Sequence, residues 1–136
     1  MGGVMSNKAK LMEIHSAEAT PAGGHYAQAI RHGDTLYVSG QLGVTRSTVD
    51  AAQVPIGQQV AFALGNIEKL AQAAGAGRND VVKCTVFVTG IEHWDEANKA
   101  YAAFFGEHKP ARSIVPCLPL HFGAKVEIEA VVALSE

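Results

Sequence analysis

Arg112 and Glu127 are the two residues of this chain best suited to do chemistry together. Arg112 sits in an otherwise apolar run, Ala111-Arg112-Ser113-Ile114-Val115, and Glu127 lies fifteen residues on, in Lys125-Val126-Glu127-Ile128-Glu129-Ala130. A guanidinium fork clamps a carboxylate through paired charge-assisted hydrogen bonds. A free carboxylate beside it can orient or deprotonate a water. Together they suit a small anionic substrate. Taken alone, the two residues are read more simply as a structural ion pair.

The elements that must position them follow from periodicity. The charged/apolar alternation of 125–130 is the period-two signature of a strand with one wet face. It puts Glu127 and Glu129 on one side, opposite Val126 and Ile128. Pro116, Pro119 and Gly123 mark a loop between the two runs. If the runs are neighbouring strands joined through that loop, Arg112 and Glu127 approach each other.

Upstream, Leu11 to His15 reads as a short strand, and Tyr26–Arg31 and Thr35–Leu42 as strands flanking the turn His32-Gly33-Asp34. In the latter, Leu36, Val38 and Leu42 take one face and Tyr37, Ser39 and Gln41 the other. Gly40 removes a side chain from the apolar face, a mark of close approach by backbone or ligand. Pro55 opens a helix whose stripe is Val60, Ala63, Leu64, Ile67, Leu70, Ala71 and Ala74, ended by Gly75 and Gly77. Val81–Val88 alternates as a strand. His93–Phe105 is a second helix, with Trp94, Ala97, Tyr101, Phe104 and Phe105 apolar, broken at Lys109-Pro110. The order β-β-β-α-β-α-β-β points to an α+β domain with both helices on one face of a mixed sheet. The other face, with Thr85, Phe87, Tyr37, Ser39 and Gln41, suits an oligomer interface with polar pockets.

The 136 residues make a single domain, 1–136, large enough for a real core, with the small and polar residues 1–10 expected to fray. Hydrophobic residues are 48% and charged residues 18%, the balance of an ordered globular chain. With a net charge of −2 and no basic run, the footprint of a nucleic-acid binder is missing. Cys84 and Cys117 stand far apart, form no CxxC pair and suit a reducing compartment. No apolar run approaches the roughly 20 residues of a membrane span, and the N-terminus has no signal-peptide core. The expectation is a cytoplasmic protein with neither membrane nor nucleic-acid partner. Met1-Gly2-Gly3-Val4-Met5-Ser6 fits a myristoylation pattern too brief to carry weight, and Met5 is an equal candidate for the start.

Other chemistry finds little support. None of the six histidines has metal-ligand spacing, so no metal site is expected; His121, inside the key loop, is read as a surface residue. No GxGxxG or GxxxxGK[ST] supports a nucleotide cofactor. Ser39 lacks the G-x-S-x-G setting of a nucleophile and is read as a hydrogen-bond donor. Cys84 reads as core, and Cys117 as a thiol that no neighbour activates. Asn98 stands one position off the apolar stripe of its helix.

Pro110-Ala111-Arg112-Ser113 followed by Val126-Glu127-Ile128-Glu129-Ala130 resembles the signature of the RidA/YjgF family of reactive-intermediate deaminases. His25-Tyr26-Ala27-Gln28-Ala29, Val38-Ser39-Gly40-Gln41, Val86-Phe87-Val88 and Asn98-x-x-Tyr101-x-x-Phe104-Phe105 fall in the family order. The resemblance runs from about Ala19 to the end. It implies a chorismate-mutase-like α+β fold and a homotrimer with sites between subunits. It also implies cofactor-free hydrolysis of 2-enamine and 2-imine carboxylates to 2-ketoacids and ammonia. By position, Arg112 would clamp the substrate carboxylate and Glu127 would position the attacking water. Tyr26, Ser39, Gly40, Asn98 and Ile114 would line the pocket.

This chain departs from the family at Ile114, where archetypal members carry cysteine, and the connection from Phe105 to Pro110 is slightly short. The shorter connection implies a different pocket rim; Ile114 changes little if that position works through its backbone, and alters activity or substrate range if the archetypal thiol takes part. The competing class is a non-catalytic trimer that binds small carboxylates as a regulator or chaperone-like holdase. A ribonuclease, a label some relatives carry, is disfavoured by charge and by the lack of paired histidines.

Overall fold

The structure, a computed structural model, describes residues 10–135. The expected fraying of residues 1–10 lies, but for Lys10, outside them. Six strands and two helices follow the expected order: β1 (Leu11–Ile14), β2 (Ala29–His32), β3 (Thr35–Leu42), α1 (Ile56–Ala73), β4 (Val81–Val88), α2 (Trp94–Phe105), β5 (Ala111–Pro116) and β6 (Val126–Ala133). They form one mixed sheet in the order β1-β2-β3-β6-β4-β5. Only β4 and β5 run parallel, because α2 is the crossover that returns the chain to its starting end.

The core lies between the helices and one sheet face. From α1 it takes Val60, Ala63, Leu64, Ile67, Leu70 and Ala71; from the sheet Leu36, Val38, Val86, Val88, Val126, Ile128 and Val132. Each fully buried aliphatic side chain contributes about 1.5–3 kcal/mol. Gly75, at φ +86°, ends α1 by letting the amide of Ala76 reach back to the carbonyl of Ala71 at 2.8 Å. Among the described residues no helix is long and apolar enough to cross a membrane.

Three expectations need correction. First, β5 and β6 are not neighbours, because β4 pairs with both and separates them. Second, β2 begins at Ala29, so Tyr26 and Ala27 lie in the preceding loop. Buried Gln28 closes that loop: its Oε1 accepts from the amide of Ser16 at 2.9 Å and its Nε2 donates to the carbonyl of Thr20 at 2.9 Å. Third, the register of β3 against β6 shifts between Val38 and Gln41. A bulge flips every later side chain to the other face. Gln41 therefore pairs with core Ile128, and Leu42 joins Glu127 on the opposite side. Leu42 packs there against a small second cluster of Val44, Ala51 and Ala124.

Gln59, a polar residue on the α1 stripe, is fully buried. Its Nε2 donates to the carbonyl of Val54 at 3.0 Å, and its Oε1 accepts from the amide of Lys125 at 2.9 Å. It thus fixes the entry to β6, two residues before Glu127. Gly43 makes this possible, since a Cβ there would fall 2.4 Å from Cβ of Gln59. Gly43→Ala should cost roughly 1–3 kcal/mol through overpacking. A urea denaturation midpoint equal to that of the parent would contradict this packing.

Candidate functional site

The bulge in β3 builds one wall of a cavity of about 900 Å³. Tyr26, Ser39, Gly40 and Glu127 line it, together with the 20–24 loop, Thr45-Arg46-Ser47, His121 and Phe122. Gly40 faces the glutamate rather than the apolar core: a Cβ there would fall 2.8 Å from Oε2 of Glu127. The carboxylate occupies the space a side chain would take, so the close approach expected at this glycine is made by Glu127.

Glu127 is partly buried, and that burial pushes its carboxyl above the usual carboxylate range. The like charge of Glu129 adds to the rise, and His121 works against it. A carboxylate raised in this way is a better proton acceptor near neutral pH.

Its surroundings are tied down by backbone bonds. Ser39 donates through Oγ to the carbonyl of Ala27 at 2.7 Å, and its amide donates to the carbonyl of Gln28 at 3.0 Å. The hydroxyl of Tyr26 accepts from the amide of Gly23 at 3.0 Å. Buried Asn66 of α1 donates to Oγ1 of Thr20 at 2.9 Å, anchoring the loop that forms the far wall.

Arg112 lies on the other side of the sheet. It pairs in register with Cys84, whose side chain is buried beneath the helices. Its Nη1 donates to Oδ1 of Asn98 at 2.9 Å, and its guanidinium carbon lies 4.7 Å from the Tyr101 ring centroid and 5.7 Å from that of Trp94. One of five guanidinium N–H groups is thus engaged. Ile114, two residues on, pairs with Val86 and packs against the core on the same side. Burial raises the thiol of Cys84 to about 11, which suits a core residue, and raises the neighbouring Tyr101 hydroxyl as well. Burial and then Glu127 raise the thiol of Cys117.

The candidate residues therefore fall into two groups. Tyr26, Ser39, Gly40 and Glu127 share one cavity, while Arg112 bonds Asn98 of α2 and Ile114 packs against the core on the helix-covered face. Glu127 pairs with Phe87 and Arg112 with Cys84, three residues apart on one regular strand, so the two side chains leave opposite faces. The approach of Arg112 to Glu127 expected from neighbouring strands does not occur within one chain. His121 is exposed, as expected, yet lines the cavity. Arg46 and Phe122 lie in aperiodic loops and gave no signal of their own.

The comparisons with known proteins agree with this arrangement of strands and helices. The family model described as Endoribonuclease L-PSP matches residues 16–134. The RutC family protein y4sK of Sinorhizobium fredii is 38% identical over 122 residues, covering 90% of this chain and 97% of its own. The human 2-iminobutanoate/2-iminopropanoate deaminase is 34% identical over 118 residues, covering 87% and 86%. Among solved structures, the YjgF gene product of E. coli superposes with a TM-score of 0.81 at 34% identity, over 90% of this chain and 98% of that one. A match over nearly the whole described chain, in both sequence and strand order, makes this protein a member of the RidA/YjgF family, the family also described as Endoribonuclease L-PSP.

Proposed function

We propose that this protein hydrolyses reactive 2-imine and 2-enamine carboxylates to 2-ketoacids and ammonia, at a site shared between two copies of the chain. The observation that carries this reading is the Glu127 carboxylate set into the cavity against Gly40, with its acidity lowered by burial. A relative that bears the name of such a deaminase supports the reaction class.

In the proposed mechanism Arg112 of a second copy holds the substrate carboxylate with its free N–H groups, oriented by Asn98. Glu127 takes a proton from water as its oxygen attacks the imine carbon, and the C=N π pair moves to nitrogen. The carbinolamine then collapses: Glu127 returns its proton to the nitrogen and accepts the hydroxyl proton, the O–H electron pair forms the C=O bond as the C–N bond breaks, and ammonia leaves, carrying off that last proton as ammonium while the ketone remains. A protonated imine carbon is already strongly electrophilic, so positioning and one base suffice. Tyr26, whose oxygen accepts from Gly23, keeps its own proton free to donate into the cavity.

The sheet face turned away from the helices supports an assembly. Tyr37 is half exposed there, and Phe87 and Val131 are only partly covered. Light scattering at micromolar concentration should give about three times the 14.3 kDa chain mass, as a cyclic trimer requires; a monomer would defeat a shared site. The reaction itself is tested by ammonia release from an imine generated in place by an amino-acid oxidase, above the spontaneous rate.

A further inference from the structure

Arg46 is a second cationic group in the Glu127 cavity, and the reaction on a monocarboxylate has no use for it. It lines the same space as Glu127, is exposed, and makes neither an ion pair nor a side-chain hydrogen bond among the described residues. Its guanidinium carbon lies 5.6 Å from the centroid of the Phe122 ring. Phe122 is itself unusual, a bulky residue at φ +61°. That left-handed conformation is unfavourable for an aromatic residue and clusters at functional sites. The His121 ring centroid lies 5.5 Å from that of Phe122. The cavity thus carries Glu127 against Gly40 and, elsewhere in its lining, an aromatic ring with an arginine and a histidine near it.

We infer that Arg46, seated on Phe122, is the specificity-determining residue of the site and selects 2-imino dicarboxylates, binding the carboxylate at the end of the substrate away from the imine. This rests on the deaminase reading and narrows its substrate class. The chemistry is direct. Imines formed by oxidation or elimination from amino acids carry one carboxylate beside the imine carbon, and Arg112 serves that one. A second anionic group, the kind an arginine can bind, occurs on those derived from acidic amino acids, and it is again a carboxylate. A guanidinium held over a ring keeps its N–H edge available for a planar acid.

The test compares 2-iminoglutarate with 2-iminobutanoate, each generated in place by an amino-acid oxidase and followed by ammonia release. Arg46→Ala should lower the ratio of kcat/KM for the dicarboxylate over the monocarboxylate by about tenfold or more, as loss of a charge-assisted contact requires. Arg46→Lys should restore part of it. A ratio changed less than about twofold overturns the inference and leaves the deaminase reading standing. If the parent protein hydrolyses neither imine, the deaminase reading fails, and calorimetry with 2-oxoglutarate and 2-oxobutanoate decides the inference separately. A selective loss of 2-oxoglutarate affinity in Arg46→Ala upholds it, and equal changes for both ligands, or no binding of 2-oxoglutarate to the parent, overturn it.

Discussion

Glu127→Gln should reduce kcat for imine hydrolysis by roughly 10²–10⁴, the usual contribution of a general base, while 2-ketoacid binding survives. Glutamine keeps the shape that fills the space beside Gly40 but cannot take a proton from water. Because burial raises the pKa of Glu127, its base form is lost as pH falls through a value above that of an ordinary glutamate. The parent kcat should therefore decline on the acid side earlier than a solvent-exposed carboxylate would allow, and the glutamine variant should lack that limb. Near-normal turnover by Glu127→Gln would assign the cavity to binding rather than chemistry.

Arg112→Ala should act on both binding and turnover. The carboxylate it is proposed to hold is present in ground state and transition state alike, and each charge-assisted hydrogen bond is worth roughly 1.5–3 kcal/mol. Calorimetry with a 2-ketoacid should show affinity lost by that amount or more. Turnover should fall as well, because the imine carbon is then held less well. Arg112→Lys should recover only part, since an ammonium lacks the planar fork and stacks less well between Tyr101 and Trp94. Unchanged ketoacid affinity in Arg112→Ala would show that Arg112 belongs to the fold alone.

Much of the fold was legible because local pattern decides it. The alternations of Thr35–Leu42 and Val81–Val88 mark those strands to the residue, and the apolar stripe of α1 marks its buried face. What escaped depends on non-local pairing. Whether Arg112 and Glu127 meet turns on which strand enters between them, and β4 does so through pairings far apart in sequence. The bulge at Ser39-Gly40 left the amphipathic pattern looking regular while moving Gln41 and Leu42 to the opposite faces. Gln59 did carry a signal, a polar residue at an apolar stripe position between Ile56 and Ala63. The candidate residues Tyr26, Ser39, Gly40 and Glu127 line one cavity, but the sequence held no hint that Arg46 and Phe122 join them.

The opposite facing of Arg112 and Glu127 makes the proposed shared site directly testable by mixing chains. Arg112→Ala and Glu127→Gln would each be prepared alone and then co-expressed in equal amounts, with oligomers purified by two different tags. Each variant alone should be nearly inactive. In a mixed cyclic trimer, sites that take Glu127 from one chain and Arg112 from the next find both intact in about a third of cases, one site of each assembly. Ammonia release from 2-iminobutanoate should then recover to about that fraction of the parent rate per chain. Mixed oligomers no more active than the separate variants would contradict a site built across two chains.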